Sequence, residues 1–317
     1  MSYAQFGTIA AADFNTLVGG NPTSTANTLN ATWATGSGAA GYGQTAQANV
    51  SVGQTIGASE WANLVNRTAS AASHQGSSIT SVTAPSAGGV ITYLSAIPTN
   101  LQTIYTNRRN AATQSSTTSN AVVSGATWSS IATFTHTATF ANGDAARYFF
   151  NSGGQLAITV SHANTTSGIN LLMNQLCTNV GTVVLSSVTS GSATIAGTSY
   201  NGITKVGGGG NSPTISTNSG YYNLTTSNAN VFYQTASTGP SGYLSTNINI
   251  FIKTNGTVGS NGDVGNVVTI YTVWDEIPNG LTVGTGATTT LTVRPPEVTN
   301  LANTWGTISL AGSVSQS

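Results

Sequence analysis

The chain has only seven acidic side chains, so each can be weighed as a catalyst. Hydrolysis of a glycosidic bond needs two carboxyl groups flanking one bond. Asp275 and Glu276 are adjacent, and in an extended chain their side chains leave by opposite faces, so they cannot bracket a bond. Asp144 and Asp263 each close an Asn-Gly-Asp triplet, a composition typical of turns. His74, His136 and His162 lack zinc-ligand spacing, and the single Cys177 supplies no second thiolate. His136 and His162 fall on apolar faces of alternating segments, where the ordinary expectation is a core histidine. No Gly-x-Ser-x-Gly elbow precedes a helix. The glycine-rich run GSGAAGYGQT, from Gly36 to Thr45, lacks the Lys-Ser/Thr pair that completes a phosphate loop. It reads as a tight connection framing Tyr42. The expectation is no enzyme, no cofactor and no metal.

Binding chemistry has a better foothold. Tyr221, Tyr222, Phe232, Tyr233 and Tyr243 cluster in sequence near the loop KVGGGGNSPT, which begins at Lys205. Tyr221, Tyr222, Tyr233 and Tyr243 are candidates for stacking on sugar rings, although aromatic strand residues more often fill cores. The Asn-x-Ser/Thr triplets at Asn30, Asn49, Asn66, Asn164, Asn223 and Asn255 are expected by chance in a chain so rich in these residues.

The elements that would position these residues divide into two kinds. TIAAADFNTLV from Thr8 and TIGASEWANLV from Thr55 are versions of one phrase. Each puts an acid, Asp13 or Glu60, in the first turn of a helix, where it complements the dipole. Phe14 and Leu17, like Trp61 and Leu64, lie three apart and share a face. The second helix is expected from Ser59 to His74, with Trp61, Leu64, Val65, Thr68 and Ala72 as its stripe and Gly76 as its stop. A third carries Leu101, Ile104 and Tyr105 and ends in Arg108-Arg109. The repeated acids thus cap helices, and Phe14 and Trp61 pack as paired anchors.

Beyond residue 127 the period changes to alternation. Phe134, His136, Ala138 and Phe140 share a face, as do Leu156, Ile158, Val160 and His162, and Ile248, Ile250 and Ile252. VVTIYTVW is apolar on both faces and is expected to be central. TTLTVR and TISLAGSV add two strands, and INLLMNQLC, from Ile169 to Cys177, one short helix. The expected fold is mainly β with a helical N-terminal domain, the C-terminal part an antiparallel β-sandwich, jelly-roll-like or Ig-like. The expected organisation is a helical anchoring domain at 1–113, a small polar linker at 114–127, the sandwich at 128–297 and a tail strand at 298–317. In that tail Ile308 and Leu310 alternate with Thr307 and Ser309 after the stop made by Pro295-Pro296. It can fold onto its own sheet or reach a neighbour's edge.

Charged residues make up 4% of the chain, against roughly 25% in an average soluble protein. Seven basic and seven acidic residues cancel. Nothing in this balance gathers a phosphate backbone or an acidic membrane surface, so no nucleic-acid or membrane partner is expected. MSYAQFGTIAAADF has no basic start and no apolar core, so no signal peptide is expected. A lone thiol fits synthesis in a reducing cytosol.

Several phrases together resemble virion structural proteins, tail- or fibre-associated, of tailed phages that infect cyanobacteria and other aquatic bacteria. In the N-terminal part these are the acid-aromatic-Leu entry, GYGQT, the second acid-Trp-x-x-Leu entry and SHQG. In the C-terminal part they are ARYFFNSGGQLAITVS, GYYNLT followed by VFYQT, and ANTWGTISLAG. The resemblance covers most of the chain and implies virion assembly without an active site. The expected function is a structural protein that associates with copies of itself and other virion proteins. Phe14, Tyr42, Trp61, Leu64, Ile308 and Leu310 are its anchor and assembly candidates. A glycan-binding adhesin that contacts a host surface glycan, or a subunit of an extracellular filament, are the alternatives.

Overall fold

A computed structural model describes residues 11–19, 27–36, 40–54, 56–87, 95–163, 168–187, 192–217, 219–239, 241–278 and 280–317. Residues 8–10 of the first repeat, Thr55 of the second, residues 37–39 of the glycine loop and Asn164 lie outside these. Among the described residues there are six α-helices and three antiparallel sheets of five, six and two strands.

Four helices come first: α1 (Ala11–Val18), α2 (Leu29–Thr32), α3 (Ala58–Gln75) and α4 (Ala96–Thr106). α3 begins where Glu60 accepts the Gly57 N–H at 2.9 Å, which satisfies one of the free donors of the first turn. It ends at Gly76, whose φ of 67° is the left-handed conformation that a glycine adopts without strain. α4 stops at Thr106, short of the expected basic end. Arg108 instead folds back onto the Tyr105 carbonyl at 2.8 Å. The apolar faces of α1, α3 and α4 meet in one cluster holding Phe14, Leu17, Trp61, Leu64, Leu101 and Ile104. Phe14 and Trp61 touch edge to face, with ring centroids 5.4 Å apart. This cluster also takes in Leu301, from the far end of the chain.

The five-stranded sheet runs in the order β1 (Thr118–Val123), β12 (Ala287–Arg294), β3 (Gln155–His162), β4 (Thr182–Leu185) and β7 (Ile203–Val206). The six-stranded sheet runs β13 (Ser309–Gln316), β2 (Ile131–Thr139), β11 (Val267–Asp275), β10 (Asn247–Thr254), β9 (Ala229–Thr235) and β8 (Thr214–Ile215). Phe134, Ile250, Ile270 and Trp274 from the second sheet share one apolar cluster with Leu156, Ile158, Val183 and Leu291 from the first. α6 (Gly168–Val180) adds Leu172, Met173 and Leu176 to it, and α5 (Gly143–Asn151) adds Phe149 and Phe150. A hairpin of β5 (Ala193–Ile195) and β6 (Thr198–Tyr200) joins Ala157 and Val184 in a small separate cluster.

The structure departs from three sequence expectations. Residues 114–127 are not simply a linker, because six of them form β1, paired along its length with β12. Small polar side chains suit an edge strand that is exposed at every second residue. Asp144 does not sit in a free turn. It lies in the first turn of α5, whose start is capped by the Asn142 side chain accepting the Ala145 N–H at 2.8 Å. β11 is central, but it alternates: Val268, Ile270, Thr272 and Trp274 are buried while Val267, Tyr271 and Val273 are only half-buried. The tail strand β13 lies on β2 of its own chain, from Ser309 opposite Thr139 to Gln316 opposite Ala132.

Trp61 is almost fully buried, so Trp61→Ala is expected to lose about 3–5 kcal/mol, the usual range for truncating a large core aromatic. Arg67 lies on the same helix at intermediate exposure, its guanidinium 6.0 Å from the Trp33 ring, and Arg67→Ala is expected to lose well under about 1 kcal/mol. Chemical denaturation of the two variants reads the difference directly.

Candidate functional site

The chemistry-bearing side chains converge where α5 meets the glycine-rich loop. Tyr42 is fully buried in the helical cluster, and its hydroxyl donates to the Arg108 carbonyl at 2.7 Å while accepting from Gln75 Nε2 at 2.7 Å. Burial drives its pKa well above the ordinary phenol value, the Gln75 bond opposing this only partly, so it remains a neutral donor. The carbonyls of Thr35, Ala40 and Gly41 are the loop's acceptors toward α5. Arg147 reaches into them: its Nη1 donates to the Thr35 carbonyl at 2.9 Å and, closer still, to that of Ala40. Nε and Nη2 donate to Asp144 Oδ1 at 3.1 and 2.9 Å, and Nη2 also reaches Asn261 Oδ1 at 3.4 Å. The guanidinium has no exposed surface. A planar cation with five donors suits this pocket of acceptors, as a lysine would not.

One turn further along α5, Asn151 donates to the Gly41 carbonyl at 2.9 Å and accepts from the Tyr222 hydroxyl. The loop must approach α5 at backbone distance. A Cβ on Gly43 would stand 2.5 Å from the Tyr148 ring, and one on Gly41 would stand 2.2 Å from the Thr35 carbonyl oxygen. Both glycines also have positive φ.

A second junction lies beside the first. His74, fully buried near the end of α3, places Nδ1 3.3 Å from Glu297 Oε1 and Nε2 3.0 Å from the Ser152 carbonyl. Burial lowers the pKa of His74, opposed by its hydrogen bonds to Glu297 and Ser152. For Glu297, burial raises the pKa but is outweighed by hydrogen bonds from Asn300, Thr299 and His74, which bring it down to about 2. The segment after Glu297 continues across the helical part. Gln44 and Ala302 exchange two hydrogen bonds, of 2.9 and 3.0 Å, and the Thr304 hydroxyl donates to the Tyr42 carbonyl at 2.6 Å. Leu301 enters the helical cluster and Trp305 the cluster between the sheets.

The sequence candidates disperse around this centre. Phe14, Trp61 and Leu64 are buried within the helical cluster. Ile308 and Leu310 are partly buried against the intersheet cluster, Ile308 just before β13 and Leu310 within it. Tyr221 is withdrawn from the glycan candidates, because it is fully buried and stacked on Phe150 with centroids 4.2 Å apart. Tyr222 is half-buried, with Arg109 lying 4.6 Å over its ring and its pKa raised to about 12 mainly by burial. Tyr233 and Tyr243 keep intermediate exposure, and Phe232 belongs to the core. The KVGGGG run joins β7 to β8. His136 and His162 are buried on inward faces, and Cys177 is a buried thiol whose pKa burial pushes up.

At the end of β11, Asp275 is half-buried and Glu276 fully so, accepting the Gly280 N–H at 3.0 Å. Burial raises the pKa of both. Among the described residues no group of three or more His, Cys, Asp or Glu side chains could hold a metal. A groove of about 400 Å³ runs along α3 between Val65, Ala72, Ile79, Val82 and Ile97, lined otherwise by Ala69, Asn100 and small hydroxyl side chains. No family model, curated protein or solved structure matches the chain. Nothing local in the sequence marks Arg147, and only its buried partners identify it.

Arg147→Met is expected to lose about 3–5 kcal/mol, since it leaves the Thr35 and Ala40 carbonyls without the guanidinium and Asp144 with only the Gly262 N–H and solvent. Arg147→Lys should recover part of that in the same denaturation experiment. Acid sensitivity follows from the second junction. Glu297 has a depressed pKa, so its stabilisation is present above its ordinary value near 4.5 and is lost as pH falls through that value toward about 2. His74, also depressed, contributes stability above its ordinary value of 6.5 that is lost as pH falls below it. The melting temperature should fall from pH 7 to pH 3, and Glu297→Gln should flatten the lower part of that curve.

Proposed function

We propose that the chain is a non-enzymatic structural subunit that self-associates within the virion of a tailed phage, as part of its tail, fibres or surface decoration. In this reading the two larger sheets form a β-sandwich, jelly-roll-like or Ig-like, and the helices of residues 1–113 are its anchoring unit. The protein would be made in the host cytoplasm and reside in the particle, among copies of itself and other virion proteins.

The observation that carries the reading is the outward face of β13 and β2. Ser309, Ala311, Ser313 and Ser315 lie opposite Thr139, Thr137, Thr135 and Thr133, a plane of hydroxyl and methyl groups without a charge. The charged side chains are largely turned to internal contacts, as with Arg147 and Asp144, Glu297 and His74, or Lys205 with Gln234. A surface so poor in charge offers little repulsion between copies. Such a face suits close packing in an assembly.

Glycan binding is the second reading. It is favoured by Phe251 and Tyr271, directly opposed on the outward face of β10 and β11, with Tyr233 beside Asn249 on the same face.

Analytical ultracentrifugation of the full chain tests self-association. A concentration-dependent multimer is expected. A strictly monomeric, folded chain at every concentration would remove the reading.

A further inference from the structure

We infer that the open edge of β13 is the surface through which two copies of this chain pair, strand to strand and antiparallel, into one continuous sheet. The inference rests on the proposed self-association and names its interface.

Ladder geometry sets which groups are on offer. Ser317 donates to the Ile131 carbonyl at 3.0 Å and accepts from Ser130 at 3.1 Å, which fixes the phase of the β13–β2 ladder. Bonded residues alternate in an antiparallel pair. Ser309, Ala311, Ser313 and Ser315 therefore direct their N–H and C=O groups to β2. Leu310, Gly312 and Val314 direct theirs to the opposite side. β13 is the terminal strand of its sheet, and among the described residues these outward groups have no strand beside them.

Edges of this kind are ordinarily blunted by a lysine, a proline, a bulge or a covering loop. Ser309–Gln316 reads SLAGSVSQ, with no charge and no proline, and its pairing with β2 runs without a register shift. A two-fold axis at Gly312 sets Gly312 against its own copy and Leu310 against Val314 of the second copy. The row of donors and acceptors is then self-complementary, as a two-fold interface requires, and closes about six backbone hydrogen bonds. The same axis places Ala311 directly opposite Ser313 of the second copy. Both are small and exposed, so the joined outer face stays smooth. A second copy is the fitting occupant because pairing draws on backbone groups alone, and no charged side chain on the strand opposes it.

Amide hydrogen exchange on the full chain, read residue by residue, tests this. In dilute solution Ala311, Ser313 and Ser315 should exchange slowly and Leu310, Gly312 and Val314 fast. In concentrated solution the second set should slow by about tenfold or more as the edge closes. Ala311→Lys with Ser313→Lys places like charges opposite each other across the axis while leaving the β2 ladder intact. It should weaken association by about tenfold or more. Ser51→Lys with Val52→Lys, an equal gain of charge on an exposed turn, should not. Multimers that form with Leu310, Gly312 and Val314 still exchanging fast, or that survive the edge lysines in a folded variant, would overturn the edge interface and leave self-association standing. A wild-type chain that never associates would remove both.

Discussion

A guanidinium with no exposed surface must find partners for all its donors, and this requirement organises the middle of the molecule. Arg147 meets it with Asp144 from its own helix and with the carbonyls of Thr35 and Ala40 from a loop more than a hundred residues earlier. Backbone approaches Thr35 and the Tyr148 ring closely beside them, and that demands Gly41 and Gly43. Tyr42, between those two glycines, is itself held by Gln75 and the Arg108 carbonyl. The same helix puts Phe149 and Phe150 into the intersheet cluster. One short helix therefore answers to both apolar clusters.

This arrangement also accounts for where the few charges are. In a chain of ordinary composition most charged side chains lie in water and contribute little. Here Arg147, Asp144, Glu297 and Arg109 sit at the junction between helices and sheets, held by ion pairs, hydrogen bonds or a ring face. Electrostatics here acts on internal register. The outward face of β13 and β2 is left to hydroxyl and methyl groups, the composition on which the assembly reading depends.

The parts legible in the sequence are those governed by local period. α3 runs Ala58–Gln75 against an expected Ser59 to His74, with Gly76 as its stop, because a strong apolar stripe and a left-handed glycine are local signals. The inward faces through Phe134, Ile158 and Ile250 follow alternation in the same way. α5 escaped because Asn142-Gly143-Asp144 has turn composition, and Asn142 is in fact the cap that starts the helix. β1 escaped because an edge strand has no apolar face to betray it. Tyr221 looked like a surface aromatic because nothing local announces that Phe150 stacks on it. The loop's partner could not be read at all, since Arg147 and Ala40 meet only in three dimensions.

The segment that carries Glu297, Leu301, Ala302 and Trp305 closes the helical part from the opposite end of the chain. Gln44 and Ala302 are 258 residues apart, so this contact is among the least local in the molecule. Contacts of such separation form late and slow folding, because the intervening chain must be ordered before they are rewarded. On the ribosome the helices around Trp61 emerge long before Leu301 exists to fill their cluster. Until it does, the helical cluster lacks one of its buried apolar members and Gln44 lacks its backbone partner.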